Sequence, residues 1–217
     1  MRTIDAIVPA FNEALTIASV VSVLLESRSF RRVLLVDDGS ADSTAERAKA
    51  AGAEVLKMAK NSGKGQAMLA GIRATDSEFT AFYDADLWGL RTDHIHRMVA
   101  AAGLGYDMVC GVRDYGVLLN PLHTVAPLIT GQRILSRKVI DAVPPDCWNG
   151  YAIETAFNHA VSRIRGRTVV MILPGVWSRA KAGKTGALRG TLSDVNMFLN
   201  IYDIQSSLDC HGNCKSS

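Results

Sequence analysis

Short apolar runs alternate with helical-period stretches through the first half of the chain, and this alternation limits the fold more than any other feature. Ile4 to Val8, Val33 to Val36, Glu54 to Met58, Phe79 to Tyr83 and Asp107 to Val112 have the length and side-chain content of strands. Between the first two, Glu13 to Glu26 puts Ile17, Val20, Val21 and Leu24 on one helical stripe. Ser43 to Ala51, Lys64 to Arg73 and Thr92 to Ala102 read as further helices. Ser43 and Glu46 have capping-box spacing, and Gly52 can end its helix in a left-handed conformation. Val33-Leu34-Leu35-Val36 is apolar without alternation, as in a strand covered on both faces. The pattern predicts an α/β fold with a mostly parallel sheet and helices on both faces. Beyond Gly116 the alternation fades. Asn120-Pro121, Pro144-Pro145 and Pro174-Gly175 mark turns, Tyr151 to Arg165 reads as a helix and Thr168 to Leu173 as a strand.

The chain has 217 residues, 48% hydrophobic and 21% charged, which suits one well-buried domain. A formal net charge of +3 suits an anionic ligand or a membrane surface, and no basic block marks a nucleic-acid footprint. Met1-Arg2-Thr3-Ile4-Asp5 enters an apolar run without the features of a secretory signal, so the expected location is cytoplasmic. No apolar segment approaches the roughly 20 residues that span a bilayer, which leaves peripheral membrane contact as the expected kind. Cys110 and Cys147 read as small buried residues. The tail Cys210-His211-Gly212-Asn213-Cys214 lacks a second Cys/His pair at zinc-site spacing and reads as mobile.

In open α/β sheets, ligands bind beyond the carboxyl ends of the strands. Asn12-Glu13, Asp37-Asp38-Gly39, Asn61 to Gly65 and Asp84-Ala85-Asp86 all fall there, so four loops converge on one crevice. Phe82-Tyr83-Asp84-Ala85-Asp86-Leu87 ends an apolar run in two aspartates. In an extended chain alternate side chains point the same way, so Asp84 and Asp86 are candidate ligands for one hard cation, Mg²⁺ or Mn²⁺, with positions left for phosphates. The competing reading is a strand end whose aspartates only cap the next helix.

Pro9-Ala10-Phe11-Asn12-Glu13, Val36-Asp37-Asp38-Gly39-Ser40, Asn61-Ser62-Gly63-Lys64-Gly65 and Asp84-Ala85-Asp86 occur in the order found in glycosyltransferase family 2, which the chain resembles firmly over residues 4 to 136 and loosely over 137 to 185. The branch nearest in pattern contains the dolichol- and polyprenyl-phosphate sugar transferases. The resemblance implies a GT-A fold, a Rossmann-like mostly parallel sheet, and a nucleoside-diphosphate sugar donor, UDP- or GDP-linked. It implies that Pro9, Phe11, Glu13 and Asp38 hold the base and ribose, that Lys64 nears the diphosphate, and that Asp84 and Asp86 hold the metal, with Asp86 the principal ligand. Carboxylates suit ribose hydroxyls and base N–H groups, and an aromatic or proline wall supports a ring.

Thr130-Gly131-Gln132-Arg133 is similar to the family's acceptor-side loop, in which Arg133 offers a planar donor fork to phosphate. Asn149 to Glu154 is similar to the segment supplying an acidic residue near the reaction centre. Glu154 is thus either a general base or a first-turn carboxylate that favours its helix dipole. Arg179, Lys181 and Lys184 lie where relatives carry a basic loop that closes over the leaving diphosphate. The resemblance leaves the acceptor open between a polyprenyl phosphate and a small phosphorylated molecule, and it favours inversion at the transferred carbon. Trp88-Gly89-Leu90 departs from the more polar sequence usual after the aspartates. Residues 1–190 are expected to form the transferase domain and 191–217 a C-terminal helix and tail; Leu192, Val195, Leu199 and Tyr202 form a stripe suited to core cover, a homodimer or a membrane surface. The alternatives are a nucleotidyltransferase, whose glycine-rich basic signature is missing after the first strand, and a non-catalytic nucleotide-sugar-binding protein.

Overall fold

The computed structural model describes residues 2–114, 130–148 and 153–178. Seven strands form the main sheet: β1 (Ile4–Ala10), β2 (Val33–Asp37), β3 (Glu54–Lys57), β4 (Phe79–Phe82), β6 (Met108–Arg113), β7 (Gln132–Ser136) and β8 (Thr168–Leu173). Their order is β3-β2-β1-β4-β7-β6-β8. All neighbours are parallel except β7, which runs antiparallel to both β4 and β6. The helices are α1 (Ile17–Glu26), α2 (Thr44–Ala50), α3 (Lys64–Arg73), α4 (Thr92–Gly103), α5 (Arg137–Asp141) and α6 (Ile153–Arg163), with one 3-10 turn at Pro145–Cys147. Two short strands, β5 (Leu87–Trp88) and β9 (Trp177–Ser178), form a separate antiparallel ribbon.

Strand alternation divides the core between the two faces of the sheet. Val8, Leu35 and Ile134 pack with α1, α2 and α4, while Ile7, Leu34 and Leu135 pack with α3, α5 and α6. The predicted stripe of Ile17, Val20, Val21 and Leu24 is buried in full, which explains why α1 lies flat on the sheet. Gly52 is left-handed as its position predicts, at φ 102°. The Ser43 side chain makes no capping bond. Asp42 does that work instead, accepting from the Thr44 amide at 3.0 Å. Among the described residues no helix is long and apolar enough to cross a membrane. Cys110 and Cys147 are free thiols. The C-terminal helix and tail expected over 191–217 lie outside the described residues.

The largest departure from the sequence reading is β7. The segment read as an acceptor-side loop enters the middle of the sheet at Gln132, paired on both edges. Its only apolar residues are Ile134 and Leu135, because Gln132, Arg133 and Ser136 are buried polar groups, so the strand carries little periodic signal.

Candidate active site

The strand order reverses at β1: the chain proceeds outward through β2 and β3, then returns to place β4 on β1's other edge. This is the topological switch point, where a crevice opens beyond the carboxyl ends of the strands. The loops after β1, β2, β3 and β4 meet there, as their sequences predict.

The first three loops are bound into one rim. Asn12, itself left-handed at φ 56°, accepts from the Ala41 amide at 2.9 Å, and its own amide donates to Ser40 Oγ at 3.0 Å. The Glu13 amide donates to Thr44 Oγ1 at 2.8 Å. Asp37 accepts from the Ser40 amide at 3.0 Å, closing the turn after β2. Asp38 is buried and takes the Ser62 amide on Oδ1 at 2.7 Å and the Gly63 amide on Oδ2 at 2.8 Å. Glycine is required at Gly39: at φ 75°, a Cβ there would sit 2.8 Å from the Lys60 carbonyl carbon. Pro9 is half-buried and Phe11 exposed on this rim, so an aromatic face is open to a ring beside backbone groups already fixed in place.

The centre of the site follows β4. The chain there is not a continued strand, as the spacing argument assumed; β4 ends at Phe82 and the backbone turns at Ala85 and Asp86. Thr16 Oγ1 donates to the Ala85 carbonyl at 2.7 Å and ties this turn to the start of α1. Asp84 accepts from Lys64 Nζ at 2.8 Å and from Gln132 Nε2 at 2.7 Å. Lys64, at the first turn of α3, also reaches Glu154 Oε1 at 2.8 Å and so bridges two carboxylates. Glu154 is buried, and its Oε2 has no hydrogen-bond partner among the described residues. A Cβ at Gly131 would overlap the Asp84 carboxylate, so a larger residue there would have to displace it.

The electrostatics separate the two aspartates. Burial works against ionisation of Asp84, but Lys64 outweighs it and holds this carboxyl below the usual range. Burial alone would lower the Lys64 ammonium; its two carboxylate partners more than reverse this and raise it. Among the described residues Asp86 has no such partner. Burial, then repulsion from Asp84 and Glu13, pushes it up to about 6, against weaker attraction from Arg113 and Lys64. Among the described residues the site therefore carries more negative charge than its cations offset, which suits the capture of a divalent ion by Asp84 and Asp86. No group of three or more His, Cys, Asp or Glu side chains suited to a metal occurs among the described residues. Two carboxylates with open positions fit a hard ion whose other ligands are water and phosphate.

Two residues that sequence reasoning left without a role thus belong to the centre. Gln132 was within reach as part of the quoted tetrapeptide. Arg113, at the end of β6, acts on both aspartates and carries no local signal, since only the sheet order brings it there. Arg133 is corrected. It is 1% exposed, faces Phe82 and Cys110 in the ladders, and donates from Nε to the Thr130 carbonyl at 2.9 Å and from Nη1 to Asn158 at 2.7 Å. Its fork secures the 130–132 turn against α6. Arg179, Lys181 and Lys184 lie outside the described residues.

A switch-point crevice with a carboxylate pair, a lysine and a prebuilt polar rim has the chemistry to suit an anionic ligand and a hard cation. Residues 5–142 match the model of Glycosyl transferase family 2, and the chain belongs to that family. It is 35% identical over 95 residues to glucosyl-3-phosphoglycerate synthase of Mycolicibacterium smegmatis, covering 40% of this chain and 31% of that protein. It is likewise 35% identical over 124 residues to undecaprenyl-phosphate 4-deoxy-4-formamido-L-arabinose transferase of Pseudomonas paraeruginosa, covering 51% of this chain and 35% of that protein. The matches thus span about a third of these curated relatives. Among solved structures, glucosyl-3-phosphoglycerate synthase from Mycobacterium tuberculosis in complex with Mn²⁺, uridine diphosphate and phosphoglyceric acid superposes with a TM-score of 0.69 at 25% identity, over 82% of this chain and 71% of that one.

Proposed function

We propose that the chain is a metal-dependent glycosyltransferase that moves a sugar from a nucleoside-diphosphate sugar to a phosphorylated acceptor. The observation that carries this reading is the convergence of Asp84, held by Lys64 and Gln132, with Asp86 beside it at the switch point, where a cation is wanted. Family membership and relatives named for sugar transfer support it.

Pro9, Phe11, Glu13 and Asp38 form the nucleotide side. Asp38 orders the Ser62-Gly63 backbone, and each of its oxygens keeps a second lone pair for a ribose hydroxyl. Asp86 and Asp84 would hold Mg²⁺ or Mn²⁺, which supplies charge stabilisation to the departing nucleoside diphosphate. Lys64, held by Asp84 and Glu154, would donate to the diphosphate. The bond between the sugar's anomeric carbon and the donor phosphate oxygen breaks, a bond from that carbon to the acceptor oxygen forms, and inversion follows from attack on the opposite face. A phosphate acceptor is already anionic and needs no general base, so Glu154 then acts by holding Lys64 in place.

The test is a donor panel of UDP- and GDP-sugars with Mn²⁺ and phosphorylated acceptors, scored for free nucleoside diphosphate. Release that needs the metal and disappears in Asp86→Ala with the fold intact is the expected result. Pyrophosphate release would instead indicate nucleotidyl transfer, and near-normal turnover by Asp86→Ala would remove the metal role.

A further inference from the structure

Strand β7 lies in the middle of the sheet, where an apolar strand is the ordinary solution, yet Gln132 at its start is fully buried and Arg133 and Ser136 are buried with it. A buried carboxamide needs partners for both of its ends. Nε2 of Gln132 donates to Asp84 Oδ2 at 2.7 Å. The Thr130 hydroxyl sits between Oε1, at 3.3 Å, and the Gly111 carbonyl of β6. The amide can face only this way, because an ionised Asp84 accepts and does not donate.

The same turn shapes the other surroundings of that carboxylate. A Cβ on Gly131 would overlap both oxygens of Asp84, so the turn's backbone closes one side, while Lys64 donates to Oδ1 at 2.8 Å. The torsion that turns a carboxylate plane is soft when nothing holds it. Here one donor on each oxygen fixes the plane and leaves each oxygen a second lone pair. The turn is itself braced. Gln132 pairs opposite Gly111 in the ladder, and Arg133 joins the Thr130 carbonyl to Asn158 of α6. Two strands and a helix therefore hold one amide against one carboxylate. The two donors differ in kind: Lys64 offsets the charge of Asp84, whereas the neutral Gln132 orients it and leaves its charge for a cation.

We propose that Gln132 is a positioning residue for the divalent ion, acting through Asp84 by fixing the plane in which that carboxylate shares an ion with Asp86. The inference rests on the glycosyl-transfer reading above and deepens its metal site. Hydrogen bonds behind a metal-binding side chain typically set metal affinity by about 10- to 100-fold. The segment Thr130 to Arg133, read in the sequence as facing the acceptor, thereby serves the ion as well.

The test is Gln132→Met, which keeps the length of the side chain and removes its donor. Affinity of the full chain for UDP and for GDP is measured by calorimetry with Mn²⁺ and with chelator. The expected result is an enhancement by Mn²⁺ at least tenfold smaller than in wild type, with the metal-free affinity unchanged. Loss of a merely structural contact would not split the two affinities. A folded variant with the wild-type enhancement overturns the proposal and leaves the transfer reading standing, as does an affinity that falls equally with and without the ion. Where the variant does not fold, the wild type decides by ¹⁵N NMR with Mg²⁺ in place of Mn²⁺. The Gln132 side-chain amide should exchange slowly with solvent and shift when Mg²⁺ joins the bound nucleotide; a resonance indifferent to the ion overturns the proposal. A wild type with no metal enhancement for either nucleotide overturns the transfer reading, and the proposal with it.

Discussion

The rim after β2 and β3 and the centre after β4 use the same residue types in opposite circumstances. On the rim, each buried carboxylate is matched by backbone amides: Asp37 by Ser40, Asp38 by Ser62 and Gly63. At the centre, Lys64 bridges Asp84 and Glu154, while Asp86, beside Asp84 and Glu13, is left with a raised pKa. The rim is finished before any ligand arrives, which lets it position a nucleotide without reordering. The centre stores repulsion that a divalent ion would relieve, so part of the folding stability is given up where charge must be captured. Stability and function should therefore coincide on the rim and at Lys64, and oppose one another at Asp86.

The largest effect should come from Lys64→Met. Removing the shared cation leaves Asp84 and the buried Glu154 facing one another without it, and breaking such a pair destabilises by about 3 kcal/mol. Urea unfolding at pH 7.5 measures this. An unchanged midpoint would mean that the bridge contributes nothing to the folded state.

Asp38→Ala tests the rim. Two amides lose a charged acceptor in a buried place, for a loss of about 2 kcal/mol, and nucleotide binding should weaken in parallel. A variant of normal stability with weakened nucleotide binding would show that Asp38 only contacts ligand, and the contrast between the two regions would lose one side.

Asp86→Asn should do the reverse, raising the stability of metal-free protein while abolishing transfer. The folded carboxyl titrates near 6 against an ordinary 3.8, so the native state binds the proton more tightly than the unfolded chain does. Wild-type stability then falls as pH rises from about 4 to about 6 and stays lower above that window; at 1.36 kcal/mol per unit, reduced for partial exposure, the variant should gain about 1 to 2 kcal/mol at pH 7.5. The gain should vanish below pH 4. A destabilised Asn variant at neutral pH would contradict the claim of stored repulsion.

The two regions also differed in legibility. The rim was readable because each loop follows a strand of plain apolar pattern, so Ile4 to Ala10 and Val33 to Asp37 placed Glu13 and Asp38 without knowledge of tertiary structure. Asp84, Asp86, Lys64 and Glu154 were named from motifs and do converge, but the bridge of Lys64 between two acids depends on contacts across 20 and 90 residues that no local pattern encodes. Arg133 was misread for a related reason. A buried arginine on a central strand looks like a loop arginine when its neighbours Gln132 and Ser136 are polar.

The central claim is that Asp84 and Asp86 join a divalent ion and a nucleoside diphosphate in one site. Calorimetric titration of UDP and of GDP, with Mn²⁺ and then with chelator, measures this without any acceptor. The account predicts that one of the two binds at least tenfold more tightly with Mn²⁺ and that the enhancement is absent in Asp84→Asn/Asp86→Asn, which retains the weak metal-free affinity. Equal affinity with and without the ion, or an enhancement that survives loss of both carboxylates, would contradict it.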